Sequence, residues 1–139
     1  MNIREQLKRD EGTVNHAYED SLWFLTIGVG RLIDVRRGGG LSSEEVDLLL
    51  TNDIAEKTKA VLEALPWAAS LNEPRLAVLI NMAFQLGLHG LLQFKNTLAE
   101  VQKGHYGIAA AMMLDSKWEN QTPTRAHRLA DQMESGEWV

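Results

Sequence analysis

Between residues 13 and 40 the chain stops reading as helix, and that interruption constrains the fold more than any other feature. Tyr18 leads into Glu19-Asp20-Ser21 and then Leu22-Trp23-Phe24-Leu25-Thr26-Ile27, an aromatic and β-branched run that reads as strand, turn, strand. Gly28-Val29-Gly30 breaks the run, Arg31-Leu32-Ile33 returns as a third short strand, and the flexible Gly38-Gly39-Gly40 ends the segment. The expectation is a three-stranded meander set among helices.

Helical patterns flank it on both sides. Residues 2–11 form a short amphipathic helix with Ile3, Leu7 and Glu11 on one stripe, and Gly12 suits a left-handed cap. Ser42 with Glu45 is a capping box that opens a helix carried by Val46, Leu50, Ile54, Val61 and Leu65 as far as Pro66. A helix of that length spans roughly 35 Å, enough to join the small sheet lobe to the rest. Asn72 caps a helix that is apolar almost all round between Arg75 and Leu86, the pattern of a buried central helix, with Gly87 ending it. Further helices are expected at 91–102 and 106–114, split by Gly104, and at 123–134, with Thr122 as N-cap and Pro123 in the first helical position. The fold class is α+β and mostly helical.

Composition narrows the function classes. A chain of 139 residues, 45% apolar and 24% charged, is one globular domain's worth. Cysteine is absent, which removes a disulfide framework and a thiolate ligand or nucleophile. No apolar run approaches a membrane span, and the charged start predicts no secretory segment, hence a cytosolic protein. The net charge of −5 argues against a helical nucleic-acid-binding module. His16, His89, His105 and His127 lack ligand spacing, so no metal is expected, and Gly28-Val29-Gly30 is no dinucleotide fingerprint. No cofactor is implied. Arg31, Arg36 and Arg37 form a small basic patch that reads first as a solvated loop. Trp118 reads as core, and Trp23, Trp67, Trp118 and Trp138 are all open to sugar stacking.

Two carboxylates carry the candidate chemistry. Glu11 falls at a helix C-terminus beside Asp10, where the dipole, the neighbouring charge and partial burial each raise its pKa toward that of a general acid. A surface glutamate that happens to end a helix gives the same pattern. Asp20 reads equally as a turn residue and Thr26 as a strand residue. Together, a helix-end acid and a turn carboxylate on opposing walls are the usual equipment of glycoside hydrolysis, with a nearby hydroxyl to help hold water.

At this point the spacing is specific. Glu11, eight residues, Asp20, five residues, Thr26, together with DEG at 10–12, LTIGVG at 25–30, INMAFQLG at 80–87 and SKWENQTPTRA at 116–126, resembles the phage-type lysozymes of glycoside hydrolase family 24. The motifs cover nearly the whole chain in order. The resemblance implies a lysozyme-like single domain over 1–139: a β-lobe at about 13–40, a connecting helix at 42–65, and a helical lobe at 66–139 packed with helix 2–11. It implies a muramidase that cleaves the β-1,4 bond between N-acetylmuramic acid and N-acetylglucosamine, with Glu11 as general acid and a water positioned by Asp20 and Thr26. Inversion follows, with a Glu11–Asp20 carboxyl separation of about 6.5–9.5 Å. Arg125 matches an arginine that pairs with the catalytic glutamate, Gly28 and Gly30 match the supporting turn, Leu32, Phe84 and Thr97 match cleft positions that meet the sugar chain, and Gln85 and Lys117 stand as their neighbours on the opposite wall.

The resemblance also implies an endolysin, monomeric, that lyses the host. It would accumulate in the host cytoplasm and reach the periplasmic wall only after a separate holin-type protein permeabilises the membrane. A fold that binds peptidoglycan without cutting it, or a structural phage component, is the alternative, against which the intact Glu11, Asp20 and Thr26 argue. Against the T-even type of the family, the chain is shorter between Ile33 and Leu41, Met112 replaces an amide-bearing sugar contact, and the acidic net charge weakens attraction to anionic walls. Arg31 replaces a histidine and is expected to pair with Asp53, a pair that loses less strength at mildly alkaline pH because arginine stays charged.

Overall fold

A computed structural model describes every residue except 1, 3, 6, 7, 10, 11 and 35–37. Ile3, Leu7, Glu11, Arg36 and Arg37 of the expectations above lie outside the described residues. The chain forms two compact units, Met1–Leu49 and Leu50–Val139.

The first unit opens on a reciprocal cap. The Glu5 amide donates to Asn2 Oδ1 at 3.0 Å and the Asn2 amide donates to Glu5 Oε2 at 2.9 Å, which satisfies two of the amides that a helix start leaves unpaired. Arg4, Glu5, Lys8 and Arg9 are helical, and the Gly12 amide closes on the Lys8 carbonyl at 3.0 Å. The expected meander follows as β1 (Val14–Glu19), β2 (Leu25–Gly28) and β3 (Arg31–Leu32), antiparallel in the order β1-β2-β3. β1 advances from Val14 to Tyr18 while β2 retreats only from Gly28 to Thr26, so the edge strand carries an irregularity of the kind that bends a ladder.

The triple glycine does more than end the segment. Gly39 and Gly40 fold back on β3, donating to Asp34 and Leu32 carbonyls at 3.1 and 2.9 Å. A Cβ on Gly39 would sit 2.6 Å from the Leu32 oxygen, so the return needs glycine for its close approach.

Helix α1 (Ser43–Ala64) starts as its sequence predicts: Ser42 Oγ accepts the Glu45 amide at 3.2 Å and Glu45 Oε1 accepts the Ser42 amide at 2.9 Å. The same Glu45 receives Arg31, whose Nη1 lies 2.8 and 2.7 Å from the two carboxylate oxygens. Arg31 therefore takes Glu45 as its partner in place of the expected Asp53, because the capping geometry already holds the Glu45 side chain at the start of α1, within reach of β3.

This clasp has a titration signature. The Arg31 bond, and then the Ser42 amide, lower the Glu45 pKa to about 2. A carboxylate whose folded pKa lies below its unfolded value stabilises fully above the unfolded pKa and loses that contribution as pH falls through the folded one. The clasp should thus hold undiminished above about pH 4.5 and drain only toward pH 2. The carboxyl carbon shift of Glu45 should titrate near 2, and Arg31→Gln should raise that midpoint, while the remaining Ser42 bonds keep it below the ordinary value of 4.5.

The second unit is helical. The latter part of α1 buries Val61, whereas Leu50 and Ile54 remain 45% exposed; of the predicted stripe, only its last members, Val61 and Leu65, join the core. Pro66–Ser70 forms a 3₁₀ turn that the sequence reading did not anticipate. Asn72 caps α2 (Glu73–Leu92), its Oδ1 accepting the Arg75 amide at 3.1 Å. Gly87, at φ 74° and ψ 164°, kinks α2 where the sequence placed its end. Val78, Leu79, Met82, Ala83 and Leu91 from α2 form the centre of the core. Around it lie α3 (Lys95–Lys103), α4 (Tyr106–Leu114), α5 (Lys117–Gln121) and α6 (Pro123–Ser135).

The end of α6 is held by Arg75 of α2 and by the α2 cap residue Asn72. Arg75 donates to the Met133 and Glu134 carbonyls at 2.8 and 2.9 Å and lies 3.7 Å from the centroid of the Tyr106 ring. A cation at a helix C-terminus complements the dipole there, and Asn72 Nδ2 adds a bond to the Gly136 carbonyl at 2.9 Å.

Two local readings are corrected. Thr122 precedes α6 without capping it: its hydroxyl donates instead to the Trp118 carbonyl at 3.2 Å. The helix α5 was not foreseen, although Ser116 Oγ accepts the Glu119 amide at 3.2 Å in the S-x-x-E pattern that announces such a start.

Candidate active site

Asp20 sits in the tight connection from β1 to β2. Its amide donates to the Phe24 carbonyl at 2.9 Å, and the Trp23 amide donates to the Asp20 carbonyl at 3.0 Å. One side-chain oxygen, Oδ1, accepts the Leu22 and Phe24 amides at 2.8 and 2.9 Å. The turn therefore fixes the carboxylate through a single oxygen. Among the described residues Oδ2 takes no hydrogen bond. An aspartate held by one oxygen with the other open can accept a proton or orient a water at a defined point.

Thr26 lies on the central strand and is 3% exposed. Its hydroxyl donates to the Phe24 carbonyl at 3.0 Å, so toward a further group Oγ1 can act only as acceptor. Cross-strand register sets Tyr18 and Leu32 opposite Thr26, and directly opposite residues share a sheet face. Leu32, expected to meet the sugar chain, is thus a neighbour of Thr26. Gly28 and Gly30, at φ 70° and 67°, reverse the chain between these strands.

The second unit places the remaining candidates in four surroundings. Phe84 (42% exposed) and Arg125 line a groove of about 540 Å³ with Leu76, Ile80 and Asn81. Arg125 Nε donates to Asn81 Oδ1 at 2.9 Å, a partner that sequence reasoning missed although Asn81 stands inside the INMAFQLG motif. The expected pairing of Arg125 with Glu11 falls outside the described residues, as does the Glu11–Asp20 separation. Gln85 accepts the Trp118 indole N–H at 3.0 Å, and its amide reaches Thr122 Oγ1 at 3.4 Å. Trp118 is 3% exposed, as expected of core.

Thr97 and Met112 share a smaller cavity of about 330 Å³ with Phe94, Lys95 and Asp115. Thr97 is 7% exposed, so it offers the cavity only an edge. Met112 brings a thioether where an amide was expected from the family pattern, and a thioether is only a weak acceptor. Lys117 opens α5 and is exposed.

A small three-stranded antiparallel meander followed by a set of helices is a lysozyme-like α+β fold. The phage lysozyme family model matches residues 8–132, and the chain belongs to that family. Among its relatives, "Probable T4-type lysozyme 1" of Dictyostelium discoideum is 29% identical over 96% of this chain and 94% of that protein. "Pre-baseplate central spike protein Gp5" of Enterobacteria phage T4 is 30% identical over 93% of this chain but only 27% of its own length. "Peptidoglycan hydrolase gp36" of Pseudomonas phage phiKMV is 25% identical over 96% of this chain and 15% of its own length.

Proposed function

We propose that the chain hydrolyses the β-1,4 bond between N-acetylmuramic acid and N-acetylglucosamine in peptidoglycan. Glu11 donates a proton to the bridging oxygen as the bond from C1 to that oxygen breaks. A water oriented by Asp20 and Thr26 attacks C1 from the opposite face, and its proton passes to Asp20. The configuration at C1 inverts. Leu32, Phe84, Thr97, Gln85 and Lys117 bind the glycan, and Arg125, Gly28 and Gly30 support the site.

The observation that carries this reading is the Asp20 carboxylate, bonded through Oδ1 to two backbone amides while Oδ2 takes no bond among the described residues, in a chain that keeps the family's spacing to Glu11 and Thr26. The names of the relatives, lysozyme and peptidoglycan hydrolase, agree with it. The biological setting that fits is host lysis by a monomeric endolysin. It collects in the host cytoplasm and acts on the periplasmic wall once a holin-type protein has permeabilised the membrane.

Purified peptidoglycan, free of membrane, is the test substrate. New reducing ends should appear on N-acetylmuramic acid, and proton NMR of the first product should show the α anomer. Reducing ends on N-acetylglucosamine would refute the bond assignment, an initial β anomer would refute inversion, and no release at all would refute hydrolysis.

A further inference from the structure

Trp23 stands in a place that neither packing nor the turn explains. The Asp20–Phe24 connection is a hairpin turn whose last loop residue is left-handed, a position that glycine or asparagine fills at little cost. Here it holds Trp23 at φ 67°, the one non-glycine residue at positive φ among the described residues. A bulky side chain is disfavoured in that region. Burial does not compensate, because Trp23 is 79% exposed, and its neighbour Leu22 is 65% exposed.

We propose that the Trp23 indole is a stacking platform for a sugar ring of the glycan strand, holding that strand against the turn that carries Asp20. The proposal rests on the hydrolase reading above. Three features support it. The amide of Trp23 is bonded to the Asp20 carbonyl at 3.0 Å, so the platform and the carboxylate belong to one rigid turn. An indole offers a flat apolar face and one N–H donor, which matches the C–H face and the acetamido oxygen of an N-acetylated sugar. The charge around it is unsuited to the other surface an exposed tryptophan could meet: Glu19 and Asp20 flank the turn and the chain carries −5, so an anionic bilayer would repel it.

Three proteins decide the matter: wild type, Trp23→Gly and Trp23→Phe, each assayed on purified peptidoglycan and melted. Glycine relieves the left-handed strain, so Trp23→Gly should melt at the same temperature as wild type or up to about 4 °C higher. Its KM should rise about five- to tenfold with kcat within about twofold, the signature of lost uniform binding. Trp23→Phe, which keeps a flat face, should recover most of the loss. An unchanged KM in Trp23→Gly, or equal losses in both variants, would overturn the proposal.

A binding arm separates it from the hydrolase reading. Titration of wild type with N-acetylglucosamine oligomers should change tryptophan fluorescence, and Trp23→Phe should abolish that change. This result stands even if wild type releases no reducing ends, in which case hydrolysis fails and stacking survives. A fluorescence shift produced by phosphatidylethanolamine–phosphatidylglycerol vesicles and absent with the oligomers would assign the indole to a bilayer and overturn the proposal.

Discussion

Asp20→Asn is expected to leave the protein folded and to slow peptidoglycan hydrolysis at least about a hundredfold, within the 10²–10⁴ range typical of a lost acid–base group. Asparagine keeps an oxygen that can accept the Leu22 and Phe24 amides, so the turn survives. What disappears is the negative charge and the ability of the open oxygen to take a proton from water. Asp20→Ala separates the two roles. It removes the same charge and also orphans two amides, which should cost a further 1–2 kcal/mol or about 3–8 °C in melting temperature. Glu11→Gln tests the complementary half of the reaction: an amide cannot protonate the leaving oxygen, so lysis of permeabilised Gram-negative cells should cease. Initial rates on purified peptidoglycan and thermal melts of all three variants provide the check. An Asp20→Asn enzyme within tenfold of wild type would remove the carboxylate from the water-activating role. Equal clearing by Glu11→Gln and wild type would do the same for the acid.

The turn bonds of Asp20 explain why it is ambiguous in the sequence. A turn aspartate and a water-activating aspartate have the same local signature, and here the side chain meets the first description through Oδ1, with Oδ2 taking no bond among the described residues. Features set by neighbours in the chain were legible. The Ser42–Glu45 and Asn72 caps, the three-stranded meander and the break at Gly87 all follow from residues within a few positions of one another.

Features set by competition were not. Glu45 could be read as a cap, but not as the group that would also capture Arg31. Thr122 has the residue type and the following proline of an N-cap, yet its hydroxyl is taken by the Trp118 carbonyl one helical turn back. Asn81 sits in an apolar helix where nothing local marks it as the partner of Arg125, 44 residues away. Trp23 reads as a strand residue, because a left-handed φ on a bulky side chain is the less favourable choice and propensity points the other way.

Trp118→Ala should be the most damaging of the stability variants. The side chain is 3% exposed, meets the Phe94 ring edge-on at a centroid distance of 6.0 Å and 89°, and donates its N–H to Gln85 at 3.0 Å. Truncating a buried tryptophan costs about 3–5 kcal/mol, a large share of the 5–15 kcal/mol that holds a typical domain together. A drop of roughly 10–20 °C in melting temperature is expected on that scale. Trp118→Phe isolates the polar part. It keeps an aromatic ring beside Phe94 but leaves Gln85 Oε1 without its donor, at about 1–3 kcal/mol. Because Gln85 is held between Trp118 and Thr122, freeing it should also raise KM more than it lowers kcat if Gln85 meets the glycan. Gln85→Leu alone and combined with Trp118→Phe complete the cycle. If the bond orients Gln85, the double variant should bind the glycan no worse than Gln85→Leu, since the second change has nothing left to misplace. Additive losses in KM would show instead that Trp118 affects binding by a route other than Gln85, and a Trp118→Phe protein with unaltered melting temperature and KM would show that the bond to Gln85 contributes to neither.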